Sequence, residues 1–190
     1  MPNSPSDTLP SDTAGSAYFL DFETGEERRA TFAVIVDNEP GVLHRVVGLF
    51  SARGYNIESL TVAETDRAVH TSRITIVTRG RREILDQIRA QLGKIVQVRA
   101  VMDVGGDARW VERELALVKV RGTGDARVET LRIAEIFRAR VIDTGVDSFV
   151  FELTGAPEKI DKFETLMRPL GLVEVSRTGV LSIARGGERV

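Results

Sequence analysis

The hydrophobic pattern of the chain switches between strand and helix periods in the same order twice, and this repetition restricts the fold more than any other feature. In the first pass, Ala30 to Val36 (ATFAVIV) is rich in β-branched residues and stops at Asp37-Asn38-Glu39-Pro40-Gly41, a cluster of turn and capping residues. Leu43, Val46, Val47 and Phe50 then recur at helical spacing through about Arg53, with Gly54 where a C′ glycine belongs. Two strand-like runs follow, Asn56 to Ala63 and Thr71 to Thr78, separated by the polar loop Glu64 to His70. Ile84, Leu85, Ile88 and Leu92 predict a second helix, and a last strand is expected from about Ile95 to Val101.

The order restarts after Gly105-Gly106-Asp107-Ala108. Glu114 to Arg121 predicts a strand, and a helix is expected from about Asp125 to Ala139, with Val128, Leu131, Ile133, Ile136 and Phe137 apolar. Strands at Val141 to Thr144 and Ser148 to Thr154 flank the turn Gly145-Val146-Asp147. Pro157 opens a helix that carries Ile160, Phe163, Leu166 and Met167. Leu172 to Arg177 and Val180 to Ile183 close the chain as strands. The fold class predicted is α+β, with two tandem ferredoxin-like (βαββαβ) domains. The expected divisions are residues 1–28 as a disordered acidic tail, 29–104 as the first domain, 105–110 as a linker and 111–190 as the second domain.

Composition then removes several kinds of chemistry. The 190 residues contain no Cys and only two His, His44 and His70, so disulfides, thiolate sites, cysteine nucleophiles and histidine metal cages are excluded. Twenty-six basic and 28 acidic side chains leave a formal charge of -2, which argues against a nucleic-acid binder that works by neutralising phosphates. Apolar runs are only a handful of residues long, too short to span a bilayer. The tail carries Pro2, Pro5 and Pro10 among Ser, Thr and Asp, lacks a basic region and is acidic, so no targeting peptide is read and a cytoplasmic location is expected.

Chemistry is densest between the first strand and the first helix. A helix N-terminus presents unpaired N–H groups and attracts anions. Pro40 fixes φ, Gly41 permits close approach, and Asn38 offers a carbonyl oxygen to an ammonium and an NH₂ to a carboxylate. The pattern suits an α-amino acid, and it equally suits an ordinary capped helix start.

The continuation favours the first reading. Asp37 to Val62 (DNEPGVLHRVVGLFSARGYNIESLTV) resembles the ACT domain of the acetolactate synthase (acetohydroxyacid synthase) small regulatory subunit family, most distinctively in RGYNIESLTV. Val111 to Val120 and Ala134 to Asp143 resemble that family's C-terminal half. The resemblance implies a non-catalytic protein that binds and activates a ThDP-dependent catalytic large subunit and confers feedback inhibition. That partner condenses pyruvate with pyruvate or 2-oxobutyrate, at the head of branched-chain amino acid synthesis. ThDP, Mg and FAD are expected in the partner, with no cofactor on this chain. The implied effector is a branched-chain amino acid, most often valine, bound where two ACT domains pair in a homodimer. Asn38, Gly41, Val42 and Leu43 would come from one chain, and Asn56 and Ile57 from its neighbour. The family usually has a small residue where His44 stands.

Other features have plain readings. Gly122-Thr123-Gly124-Asp125-Ala126-Arg127 is a strand-to-helix turn, because Arg127 occupies the third glycine position of a dinucleotide loop. Arg79 to Arg82 is read as a solvated helix start. Arg138, Arg140 and Arg177 are candidates for docking on the large subunit, and Trp110 is a candidate for packing beneath the linker or anchoring an interface.

Overall fold

The computed structural model describes residues 26–66, 68–105 and 109–187. The tail reading lies outside the described residues up to residue 25, as do residues 106–108 of the expected linker.

The first domain runs β1 (Arg28–Asp37), α1 (Val42–Ala52), β2 (Ser59–Asp66), β3 (Thr71–Gly80), α2 (Arg82–Leu92) and β4 (Val98–Asp103). Its antiparallel sheet has the order β2-β3-β1-β4, which places each helix across one half of a single face. Period-2 alternation in β1 sends Phe32, Val34 and Val36 to that face, where Ile74 and Ile76 of β3 join them. Val46 and Phe50 of α1, with Leu85, Ile88 and Leu92 of α2, close the core.

The second domain repeats the plan with β5 (Trp110–Arg121), α3 (Gly124–Phe137), β6 (Arg140–Thr144), β7 (Ser148–Gly155), α4 (Pro157–Met167) and β8 (Leu172–Arg177), in the order β6-β7-β5-β8. Phe151 and Phe163 are fully buried and meet edge to face, with centroids 6.1 Å apart. A further strand, β9 (Leu181–Ala184), pairs with the N-terminal third of β5, Trp110 to Arg113. This two-stranded ribbon lies against the helix-free face of the first sheet. Arg29 is ion-paired to Glu112 at 3.1 Å, and the Arg73 guanidinium lies 5.8 Å from the centroid of the Trp110 ring.

Several boundaries differ from those read in the sequence. β2 begins at Ser59 rather than Asn56, because Tyr55 packs edge-on against Phe50 and the Thr78 hydroxyl donates to the Asn56 carbonyl at 2.6 Å, which holds residues 55–57 off the ladder. β2 continues to Asp66, so the loop predicted from Glu64 is shorter. β4 starts at Val98, since Lys94, Ile95 and Val98 still make turn-type bonds to Gln91, Leu92 and Ile95. β5 starts at Trp110 because β9 supplies a ladder partner there. Arg79 and Gly80 are the last residues of β3 and are not part of the helix start. In α3 the buried residues are Thr130 and Ala134, with Ile133 and Phe137 partly covered. Val128, Leu131 and Ile136 are exposed on the opposite side, contrary to a helix buried by its larger apolar residues.

Candidate functional site

The β1–α1 turn is held from outside itself. The Asp37 amide donates to the Gln97 carbonyl at 2.9 Å, and the Asp37 carboxylate pairs with Arg99 at 2.5 Å. The Asn38 amide donates to the His70 carbonyl at 2.7 Å, which ties the turn to the loop between β2 and β3. His70 stands at φ 48, and its carbonyl, not its imidazole, performs this role. Gly41 occupies the N-cap position at φ 88, in the left-handed region that favours glycine. No side chain caps α1. The Val42 amide reaches the Glu39 carbonyl at 3.3 Å, and the first helical bond runs from the Arg45 amide to the Gly41 carbonyl. The amides of Leu43 and His44 precede that bond and are the helix-end donors an anion would meet.

Each residue read as effector-binding has a definite place. Asn38 is exposed, and its Nδ2 donates to Glu64 Oε1 of β2 at 3.3 Å. Its Oδ1 and the Glu64 carboxylate therefore put acceptors for an ammonium beside the helix end. Leu43 is exposed and offers apolar surface. The Val42 side chain is buried in the domain core, so only its backbone can face a ligand. Ile57 is partly buried against the same core, and Asn56 is exposed.

One protomer does not bring the two groups together. Asp37 pairs with Thr71 at one end of β3, and Ser59 pairs with Val77 near the other. At about 3.4 Å per residue, those ends lie about 20 Å apart.

Glu64 was missed in the sequence. Its signal was alternation: Leu60, Val62 and Glu64 share one face of β2, and an acid replaces the apolar residue where that face reaches the turn. His44, the departure from the family pattern, is exposed on the first turn of α1.

A concavity of about 480 Å³, away from the β1–α1 turn, opens between the domains and is lined by Glu58, Arg79, Glu114, Asp161, Arg177 and Gly179, among others. Its charges pair with one another. Arg177 grips the buried Glu114 through two bonds of 2.8 and 2.6 Å and also meets Asp161 at 2.5 Å. These carboxylates hold the Arg177 guanidinium above its ordinary pKa. Arg177, read as a docking candidate, is thus engaged within its own domain. Arg140 pairs with Glu152, and Arg138 is exposed at the C-cap of α3 with φ 55. Trp110 packs under Arg73, whose half-buried guanidinium is pushed below its ordinary value by desolvation. Among the described residues, no group of three His, Cys, Asp or Glu could hold a metal ion, and no helix is long and apolar enough to cross a membrane.

Two family models match, one for each domain. Residues 32–100 match the small-subunit-like ACT domain of acetohydroxyacid synthase, and residues 113–186 match the small subunit of acetolactate synthase. The chain is 43% identical over 159 residues to a probable acetolactate synthase small subunit of Archaeoglobus fulgidus, covering 84% of this chain and 98% of that one. It is 46% identical to the isozyme 3 small subunit of Salmonella typhimurium, covering 83% and 96% respectively. The crystal structure of the acetolactate synthase small subunit from Thermotoga maritima superposes with a TM-score of 0.74 at 35% identity, over 85% of this chain and 99% of that one. With both domains matched in order and the fold shared, the chain belongs to the acetolactate synthase small subunit family, and its first domain is an ACT domain.

Proposed function

We propose that this chain is the non-catalytic regulatory subunit of an acetolactate synthase, activating a ThDP-dependent large subunit and carrying feedback inhibition by a branched-chain amino acid, with valine the first candidate. The observation that carries the effector reading is the juxtaposition at the β1–α1 turn. Free helix-end amides at Leu43 and His44 lie next to Asn38 and the Glu64 carboxylate, so donors for a carboxylate and acceptors for an ammonium stand side by side.

The 20 Å separation of the two groups supports a site shared between chains. β2 is the edge strand of its sheet. Antiparallel pairing of β2 with its copy sets residues 56–58 of one chain beside the Asn38–Glu64 end of the other. Leu43 and Ile57 would then cover the effector's side chain, and burial of an isopropyl group there contributes about 1.5–3 kcal/mol. On this reading ThDP, Mg and FAD belong to the large subunit, and the complex is cytoplasmic.

The test is thermal denaturation of the purified chain with valine, leucine, isoleucine and unrelated amino acids, together with activity of the reconstituted enzyme. A ligand selective for the native state adds about 2.7 kcal/mol at a hundredfold excess over its dissociation constant. The expected result is selective stabilisation by valine, lost in Asn38→Ala, with activation of the large subunit retained. Stabilisation by no amino acid, together with uninhibited holoenzyme, would overturn the effector reading. Failure to co-purify with a ThDP enzyme would leave a free-standing amino-acid sensor instead.

A further inference from the structure

The geometry points to a specific coupling element: the turn Thr178-Gly179-Val180 transmits the state of strand β2, and so of the effector site, into the second domain. This proposal rests on the effector site described above, and it adds the route by which that site acts.

The turn joins β8 to β9 and sits directly on β2, two to five residues beyond Asn56 and Ile57. The Val180 amide donates to Ser59 Oγ at 3.2 Å, and Thr61 Oγ1 donates to the Thr178 carbonyl at 3.3 Å. Between them, Gly179 stands at φ 82, and a Cβ there would lie 2.5 Å from Ser59 Oγ and 2.8 Å from Thr61 Oγ1. An added Cβ would have to push those hydroxyls aside, and it would sit on a backbone conformation that side-chain-bearing residues rarely adopt. Val180 is buried. Ser59 and Thr61 lie on the helix-free face of β2, so these bonds are independent of the ACT core.

On its other side the turn is fastened to the second domain. The Thr178 amide donates to the Leu115 carbonyl at 3.0 Å, and its hydroxyl accepts from the Leu115 amide at 3.2 Å. Arg177, the preceding residue, forks onto buried Glu114 in β5 and reaches Asp161 in α4. A shift of β2 is therefore passed to β5 and α4 through short, directional contacts rather than through a compliant loop.

An effector can inhibit only if it binds one arrangement of the assembly better than another. A ligand bridging residues 56 and 57 to a neighbouring chain restrains the start of β2. The second domain registers that restraint only through a contact that moves with β2, and the turn is such a contact.

The experiment uses the full chain reconstituted with its large subunit, and two kinds of variant. Gly179→Ala inserts a wedge at the contact, and the Ser59→Ala/Thr61→Val pair removes its hydrogen bonds without adding bulk. Three quantities are read for each: valine binding to the free chain, activation of the large subunit, and the valine concentration that halves activity. The expected result is binding and activation near wild type, with the half-inhibitory concentration raised about five-fold or more. Unchanged inhibition in the Ser59→Ala/Thr61→Val protein would overturn the coupling while leaving the effector site intact. Loss of activation along with inhibition would overturn it too, by showing that the turn merely holds the fold. A wild-type chain that neither binds valine nor confers inhibition would instead remove the effector reading on which the coupling stands.

Discussion

At the scale of single residues, the chemistry concentrates where a polar group has been placed against the grain of its surroundings. Glu64 continues the Leu60 and Val62 face of β2, and its carboxylate meets Asn38. If it supplies the counter-charge for the effector's ammonium, Glu64→Gln keeps the shape and loses the charge assistance. Valine affinity measured by calorimetry should then fall about ten-fold, a loss of about 1.4 kcal/mol, with activation retained. Glu114 is a different case, being 4% exposed and neutralised by Arg177, whose side chain keeps 29% exposure. Arg177→Ala leaves a carboxylate buried without its partner. The expected destabilisation is about 2–4 kcal/mol by denaturant titration, reduced from the fully buried range because the guanidinium is partly solvated. A guanidinium held above its ordinary pKa contributes at every pH below that value, so the Arg177 side of the pair is not titrated away in the neutral range. Replacing both residues with Leu should cost less than Arg177→Ala alone.

At the scale of elements, strand and helix order was legible because local period and turn chemistry agree with the final topology almost everywhere. Gly54 at φ 67 does end α1, Pro157 does open α4, and the Gly122–Gly124 segment does turn β5 into α3. Apart from the late start of β4, which local turn bonds account for, the failures share a cause. Where an element's environment is supplied by residues distant in sequence, the local pattern cannot report it. β5 reaches back to Trp110 only because β9, some 70 residues later, pairs with it. Asn56 leaves the ladder because Thr78 takes its carbonyl. The candidate site was half legible: the turn residues announce a helix end, but the burial of Val42 and the partnership of Asn38 with Glu64 depend on the packed sheet. Helix α3 gives the sharpest contrast, since its buried stripe is Thr130 and Ala134 while Ile136 is 76% exposed. Ile136→Lys should therefore change stability by no more than about 0.5 kcal/mol. Phe163→Ala in α4, which removes a ring packed on Phe137 and Phe151, should cost about 3–5 kcal/mol. Equilibrium unfolding in urea distinguishes the two, and a large loss for Ile136→Lys would mean that its outer face is covered in solution.

At the scale of the molecule, the two domains meet along a face but share neither a sheet nor a core. Phe32, Phe50 and Leu85 belong to one cluster and Phe151, Phe163 and Met167 to the other, with no buried residue in common. What joins them is the ribbon of β5 and β9. It enters the second sheet at Glu114, and before that it meets Arg29 and Arg73 on the side of the first sheet away from the helices, the side on which Ala33, Thr75 and Val77 are buried. Ion pairing of Arg29 with Glu112, stacking of Arg73 on Trp110 and the bonds of the Thr178–Val180 turn fall along the same seam. Two independent cores would ordinarily melt independently, whereas a seam that buries one face of the first sheet should make the first domain's stability contingent on the second. Differential scanning calorimetry of the full chain should accordingly show a single transition with matching calorimetric and van't Hoff enthalpies. A chain ending at Thr178 loses β9 and the Val180–Ser59 bond yet keeps both helix-side cores, so it should melt in two steps, with the first domain the earlier to unfold. Two transitions in the intact chain would mean that the seam is a loose contact, and would remove the mechanical basis for passing a signal through it.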